Sequence, residues 1–242
     1  MDVRTAQLLT DLTSAFYAQV SASFDATRQS PWRGWEQLLA TLGPQDEKQL
    51  RLLDIACGNL RFEKFLFEQR DVSDAWCVDN CDMLAAQEQL SDPRIHYLHL
   101  DIAQALLDEG QLDLPHEACN CDLAVCFGFM HHLPLASQRS SLLRSLIGAT
   151  HPGGYVAVSF WQFLRDKRIR AKARSFEGAD EDDYLLGWQE RTDVARYCHH
   201  FDEAEIDKLV YGVSDLAQEA CRYSADGRNG DLNRYVILRR RV

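Results

Sequence analysis

Apolar and polar positions divide the chain into short apolar runs separated by amphipathic stretches. The runs near 50–55, 74–79, 95–99, 121–127 and 154–161 predict strands, and the stretches near 60–70, 81–90, 102–109, 136–149 and 163–175 predict helices between or after them. Apolar strands alternating with helices imply a parallel sheet covered on both faces. Two helices precede it, over 3–22 and 31–42. The second is expected to start with Ser30 as its cap and Pro31 at its first position, and to end at Gly43-Pro44. Pro152-Gly153-Gly154 predicts a turn into the fifth strand. After a helix over 202–211, the runs Leu216 to Tyr223 and Leu232 to Leu238 predict two strands around a turn containing Asp226-Gly227 and Asn229-Gly230. A terminal hairpin on a parallel sheet makes one strand antiparallel. The fold class is α/β: a Rossmann-like, doubly wound, seven-stranded sheet, mostly parallel, with an antiparallel C-terminal hairpin strand and N-terminal helices.

Composition narrows this picture. A chain of 242 residues, 46% hydrophobic, can bury a full core, and one domain over 1–242 is expected. No apolar run approaches the roughly 20 residues that span a bilayer. Met1-Asp2-Val3-Arg4-Thr5 lacks the charged-then-apolar pattern of a signal peptide, so a cytoplasmic location is expected. Of the eight cysteines, Cys57, Cys77, Cys121 and Cys126 lie in or beside strands, where a free thiol behaves as a small apolar group. The pairs Cys119 with Cys121 and Cys77 with Cys81 build no known zinc pattern, so no metal is expected. A net charge of −11 argues against broad, non-specific nucleic-acid binding. The run Arg165 to Arg174 is the one local signal for nucleic acid; a solvated helix neutralised by Asp180-Glu181-Asp182-Asp183 explains it equally well. Arg239-Arg240-Arg241 either extends a basic patch or frays.

The candidate chemistry sits at the strand ends. Leu52 to Phe62 reads as strand, tight turn and helix start, with Asp54 at the end of the apolar run and Gly58 in the turn. Asp79 ends the second strand, 25 residues after Asp54, where a carboxylate can accept from two ribose hydroxyls. Gly58 lets backbone approach a ligand, and the following helix start favours an anionic group. Asp101 ends the third strand and could accept from an adenine amino group, with Ile102 against the ring; taken alone, Asp101 reads as a helix cap. Phe127-Gly128-Phe129-Met130 follows the fourth strand as an apolar wall. Together these point to a nucleoside-containing ligand above the carboxyl ends of the sheet.

In these features the chain resembles the class I S-adenosylmethionine-dependent methyltransferases. The resemblance implies that S-adenosylmethionine, with S-adenosylhomocysteine as product, is bound by Asp54, Ala56, Gly58, Asp79, Asn80, Asp101, Ile102 and Phe127. Ala56 and Leu60 replace glycines usual in the family's turn, and Leu60 is expected to narrow it. No GxGxxG is present, which disfavours a dinucleotide dehydrogenase. The resemblance divides the chain into an N-terminal extension (1–45), a cofactor-binding core (46–162), a substrate-side insertion (163–201) and a C-terminal helix and hairpin (202–242).

Further segments resemble the tRNA wobble-uridine methyltransferases, which methylate the carboxylate of 5-carboxymethyluridine: Phe24 to Trp32, with Thr27-Arg28 before Pro31-Trp32; Met130-His131-His132-Leu133; Ser159-Phe160-Trp161; Asp183 to Trp188; Arg196-Tyr197-Cys198-His199-His200-Phe201; and Asn233 to Leu238. A carboxylate is ionised at neutral pH, so its methylation needs a cation to orient it and no general base. Arg28 and Arg196 are the candidate clamps, with His131, Tyr197 and His199 adding hydrogen bonds and Trp32 or Trp161 stacking on a base. The competing readings are a connector residue for Arg28, a helix cap or packing residue for His131, and core for Trp161. The resemblance implies tRNA as partner, and eukaryotic relatives in the family use a small activating subunit. The alternatives are a small-molecule methyltransferase acting on a carboxylic acid or another metabolite, which the acidic surface favours, and a non-catalytic cofactor-binding protein, which the altered turn favours.

Overall fold

The computed structural model describes residues 1–45, 48–81 and 90–242. Helix α1 (Val3–Asp25) is capped by Asp2, which accepts from the Thr5 amide, and buries Ala6, Leu9, Phe16 and Val20 along one face. Helix α2 (Arg33–Leu42) begins later than expected. Trp32, not Ser30, stands at its cap, with no side-chain cap bond. The reason is tertiary: Arg61 takes the Ser30 carbonyl at 3.1 Å, and the Trp32 ring stacks on Trp35, centroids 5.5 Å apart.

Strand β1 (Leu50–Ile55), helix α3 (Arg61–Gln69), strand β2 (Val72–Asp79) and strand β3 (Ile95–His99) follow, then helix α4 (Ile102–Asp108) and strand β4 (Cys121–Cys126). The helix expected over 81–90 falls mainly on residues outside the described ones. Helix α5 (Ala136–Ala149) leads into strand β5 (Thr150–Trp161). The Pro152-Gly153-Gly154 turn proves to lie inside β5 as an irregularity in its pairing with β4, where Cys121 faces Thr150 but Leu123 faces Tyr155. Gly154 is required there, because a Cβ would lie 3.0 Å from the Asp122 carbonyl oxygen. The helix expected over 163–175 breaks into a single turn, Phe163–Arg165, and a short helix α6 (Lys167–Lys172). Asp166 restarts the helix by accepting from the Arg168 and Ile169 amides. Strands β6 (Asp183–Trp188) and β7 (Arg191–His199) were not expected; they pair antiparallel in a separate two-stranded sheet. Helix α7 (Glu203–Tyr211) and strands β8 (Ala217–Ala225) and β9 (Asn233–Arg240) complete the chain.

The main sheet has the order β3-β2-β1-β4-β5-β9-β8. Strands β1 to β5 run parallel, and β9 is antiparallel to both of its neighbours. The order reverses between β1 and β4, and a doubly wound sheet opens its ligand crevice at such a point. One buried cluster, including Leu53, Ile55, Val78, Leu142, Leu146 and Phe201, fills one face of the sheet. Leu52, Cys77, Leu123, Phe62, Leu66 and Trp35 fill the other. The small sheet docks on α1 through Phe16, Val20, Trp188 and Val194. Among the described residues, no helix is long and apolar enough to cross a membrane.

Candidate active site

The turn after β1 is wound by three residues with left-handed backbone: Ala56 (φ 66°), Gly58 (φ 58°) and Leu60 (φ 57°). The Ala56 and Cys57 amides donate to the Val78 carbonyl at 2.8 and 3.2 Å, locking the turn against the end of β2. Asp79, at that end, accepts from the Gly58 amide and the Cys81 amide, both at 2.9 Å. Burial raises the Asp79 pKa, and these backbone donors pull it only part of the way back. Nothing lies within 4 Å of the position a Gly58 Cβ would occupy, so the backbone of the turn is open to a ligand.

Leu60 does not narrow this opening. Its side chain is fully buried in the core with Leu66, Phe62 and Trp35, and it is absent from the cavity wall. The left-handed conformation costs about 1–2 kcal/mol for an L-residue, and Leu60 recovers more than that by filling the core. Leu60→Gly should therefore lower stability by about 1–3 kcal/mol without tightening cofactor binding. Denaturant unfolding and calorimetric titration of the same variant check this; tighter cofactor binding would restore the crowded-turn reading.

Above the turn lies a cavity of about 790 Å³. Asp54, Ala56, Gly58, Asp79, Asn80, Asp101, Ile102 and Phe127 all line it. Asp101 serves two ends: one oxygen caps α4 through the Gln104 amide at 3.0 Å, and the other accepts from Asn80 Nδ2 at 2.8 Å. Asp54 is buried, and its pKa stands well above the carboxylate range because of burial and then the charge of Glu63. Glu63, fully buried on α3, is likewise raised, mainly by burial, and accepts from the Cys77 thiol at 3.2 Å. Two such carboxyls share a proton more readily than both ionise. The sequence reading missed Glu63, although a Glu among the apolar positions Phe62, Phe65 and Leu66 of one short helix was its signal. It also missed Asp226, which lines the cavity and accepts from Tyr235 Oη at 2.6 Å and Asn233 Nδ2 at 2.9 Å.

Of the five acceptor-side candidates, the fold brings three to the cavity: Arg28, His131 and Arg196. Arg196 is 6% exposed, donates to the Gly187 carbonyl at 3.3 Å and leaves Nε without a partner. The rings of Phe16, Trp161 and Trp188 lie 4.7, 5.9 and 6.0 Å from its Cζ. No carboxylate forms an ion pair with it among the described residues. Arg28 reaches the same Trp188 ring at 5.8 Å and the Phe24 ring at 4.6 Å; burial, with Arg196 nearby, lowers its pKa. Arg61 joins them in the lining, its pKa lowered to about 10 by burial and then by Arg28. His131 is 6% exposed, packs tilted against the Trp161 ring with centroids 4.7 Å apart, and has no partner for Nδ1. Burial, then His132 and Arg196, holds it neutral. His132 donates from Nδ1 to the Tyr197 carbonyl and accepts at Nε2 from Tyr17 Oη, both at 2.9 Å. His131, His132 and Cys198 present potential ligand atoms within 4.8 Å of one another. Both His132 nitrogens are engaged, however, and the Arg196 charge acts on both His132 and Cys198, so a cation there would meet a guanidinium.

Tyr197 and His199 lie elsewhere. Neither lines the cavity; both point from β7 into a buried polar network. Tyr197 Oη donates to Asp183 at 2.5 Å, and His199 bridges Asp183 at 2.8 Å and Glu205 at 2.5 Å. Arg139 closes the chain on Glu205 at 3.0 Å. Strand alternation explains the split: Arg196 and Cys198 share one face of β7, Tyr197 and His199 the other. Burial alone would lower the His199 pKa, but its bonds to Asp183 and Glu205 overturn this and raise it. Its contribution to stability is therefore present below the unfolded value near 6.5 and is lost as pH rises through the higher folded value. Asp183 and Glu205, net lowered, act in the opposite sense at acid pH. The His199 contribution should thus decline from about pH 6.5 upward, against the gain that the neutral His131, His132 and His200 supply as pH rises toward the same value, and the difference between wild type and His199→Gln isolates that alkaline limb. An unchanged alkaline limb would show that His199 is not charged in the fold.

A doubly wound sheet with β9 reversed, and a cavity at the β1/β4 switch point lined by three strand-end acids, defines a class I methyltransferase fold. Residues 24–211 match the family described as methyltransferase domain, and the chain belongs to that family. Its relatives include a protein of Encephalitozoon cuniculi that carries a methyltransferase name, 28% identical over 204 residues (84% of this chain, 81% of that protein). The mouse tRNA (carboxymethyluridine(34)-5-O)-methyltransferase is 26% identical over 166 residues, 63% of this chain, and the matched region is 22% of its length. Among solved structures, the Burkholderia thailandensis 1,6-didemethyltoxoflavin-N1-methyltransferase with bound S-adenosylhomocysteine shares the fold (TM-score 0.61, 17% identity, 99% of this chain and 89% of that one). So does the complex of the Haloferax volcanii Trm112 activator with a methyltransferase (TM-score 0.65, 10% identity, 94% and 97%). The protein is an S-adenosylmethionine-dependent methyltransferase.

Proposed function

We propose that this methyltransferase transfers the methyl group to a carboxylate oxygen, and that the carboxylate belongs to a modified wobble uridine in tRNA. The observation that carries the carboxylate is Arg196: a guanidinium 6% exposed, on the cavity wall, with no acidic partner among the described residues. A buried cation without a counter-ion is costly, and an anionic acceptor would relieve that cost. The tRNA step is supported by the similarity to the mouse carboxymethyluridine enzyme over 63% of this chain.

S-adenosylmethionine, when bound, supplies an electrophilic methyl group. In this reading Asp79 accepts from its ribose, Asp101 and Ile102 hold its adenine, Phe127 covers it, and the open Gly58 turn with Asp54, Ala56 and Asn80 completes the cradle. Arg196, assisted by Arg28, holds one carboxylate oxygen and leaves the other free to attack. No residue has to remove a proton, because the carboxylate is already ionised. Neutral His131 offers a hydrogen bond without competing for the anion. The reaction brings opposite charges together and cancels them. A cavity walled by Tyr17, Phe24, Phe127 and Trp161 favours that loss of charge more than water does. Residues 163–201 form the acceptor-side cover in this reading. A small activating subunit is in keeping with the likeness to the activator-bound Haloferax volcanii structure.

The test is methyl transfer to an anticodon stem-loop carrying 5-carboxymethyluridine, followed by mild alkali. A methyl ester releases methanol; an alkali-stable methyl group would overturn the carboxylate assignment. Transfer to free carboxylic acids but not to the RNA would leave a small-molecule enzyme, the reading that the net charge of −11 favours.

A further inference from the structure

Helix α6 and the residues just after it carry Lys167, Arg168, Arg170, Lys172 and Arg174, all exposed. The helix is short and its apolar side is narrow. Ile169 and Ala173, one turn apart, pack against the group formed by Trp161, Phe163, Leu186 and Cys198, and Ile169 reaches the wall of the main cavity. The remaining positions therefore face solvent beside the cavity. Arg174 is pinned to β6 by two backbone bonds to Leu185, at 3.1 and 2.8 Å, which fixes the far end of the strip.

The acids downstream do not neutralise this strip. Asp180 pairs with the Met1 amino group at 3.3 Å, and Asp183 is consumed by Tyr197 and His199. Lys172 pairs with Glu190, whose side chain is 95% exposed, and Arg168 pairs with Asp166 at 3.5 Å. Exposed pairs of this kind are weak and exchange readily for other anions. Lys167, Arg170 and Arg174 make no ion pair among the described residues. Arg28, Arg33 and Arg61 also line the cavity. In a chain of net charge −11, this collects uncompensated cations around one opening, which steers a polyanion there and repels it elsewhere.

We infer that Lys167, Arg170 and Arg174 form a phosphate-contacting surface for an RNA strand whose reactive nucleotide enters the cavity. This rests on the nucleic-acid acceptor proposed above and adds the face on which that acceptor lies. Phosphate contacts position a strand without reading its sequence, so base recognition is left to the cavity and its Trp32 and Trp161 rings.

The experiment measures binding of an anticodon stem-loop RNA at several salt concentrations, with the intact protein and with Lys167→Glu/Arg170→Glu/Arg174→Glu. Each single-strand phosphate contact contributes a slope of about −0.7 to log K against log salt. The triple variant should lower the slope by about 2 units and weaken RNA binding roughly 100-fold. S-adenosylmethionine affinity and methyl transfer to free 5-carboxymethyluridine should stay unchanged. Arg4→Glu/Lys64→Glu/Lys208→Glu, an equal charge change at exposed positions outside the cavity lining, should have a much smaller effect. If the intact protein binds the RNA and the α6 variant binds it equally well with the same slope, the surface assignment is wrong and the RNA acceptor stands. If the intact protein binds no RNA, both fall. Loss of binding to anionic vesicles with RNA binding unchanged would assign the strip to a lipid surface and overturn the inference.

Discussion

Arg196→Met will reduce methyl transfer to a carboxylate roughly 100- to 3,000-fold and leave S-adenosylmethionine affinity unchanged. The magnitude is that of removing one partner from a buried, hydrogen-bonded charge pair, about 3–5 kcal/mol. The effect on stability should run the other way. In the absence of acceptor, Arg196 is a buried cation supported by one carbonyl and three aromatic rings, with Nε unpartnered. An unbranched apolar side chain suits the Phe16, Trp161 and Trp188 surroundings at least as well, so the variant should unfold at or above the wild-type temperature. Stability gained with activity lost is the signature of a residue kept for a ligand. Arg196→Lys should fall between the two, because it retains the charge and loses the planar fork. A variant that loses activity and several degrees of melting temperature together would mark Arg196 as structural. One that weakens S-adenosylmethionine binding would assign it to the cofactor's own carboxylate.

Asp79→Asn should weaken S-adenosylmethionine binding roughly 150- to 20,000-fold, the equivalent of two charge-assisted hydrogen bonds at about 1.5–3 kcal/mol each. The substitution acts twice. It removes the negative charge proposed to hold the ribose hydroxyls, and it places an NH₂ group against one of two amide donors, because the Gly58 and Cys81 amides point at different carboxylate oxygens. The turn itself should loosen modestly. The pH dependence supplies an independent check. Burial raises the Asp79 pKa, so wild-type affinity should begin to fall on acidification above the ordinary aspartate value near 3.9. The asparagine variant should lack that fall. Calorimetric titration at two pH values measures both effects, and near-wild-type affinity in the variant would remove Asp79 from the cofactor site.

Local pattern revealed the frame. The strands of the main sheet announce themselves as apolar runs ended by Asp54, Asp79 and Asp101, and parallel pairing requires little beyond apolar side chains on both faces. The order of those acids marks one wall of the cavity, because the ends of parallel strands in such a fold converge on one crevice. Strands β6 and β7 escaped this reading. They form a two-stranded ribbon that covers one side of α1, and their polar stretch Arg191-Thr192-Asp193 carries no buried alternation. Such a ribbon is stable only by docking, and docking partners such as Phe16 and Trp188 lie far apart in sequence.

The sequence by itself determined the doubly wound sheet, the reversed terminal strand and the row of acids above it. These follow from the spacing of apolar positions and the turn residues between them. Tertiary structure decided which way individual side chains point. It buried Leu60 in the core and away from the turn's opening, because a left-handed backbone there swings the side chain toward Leu66 and Trp35. It divided Arg196-Tyr197-Cys198-His199 between two environments, since neighbours on a strand face opposite ways. And it left Arg196 buried with no acid paired to it among the described residues, a circumstance no motif encodes, because the identity of a buried charge's partner depends on every element packed around it.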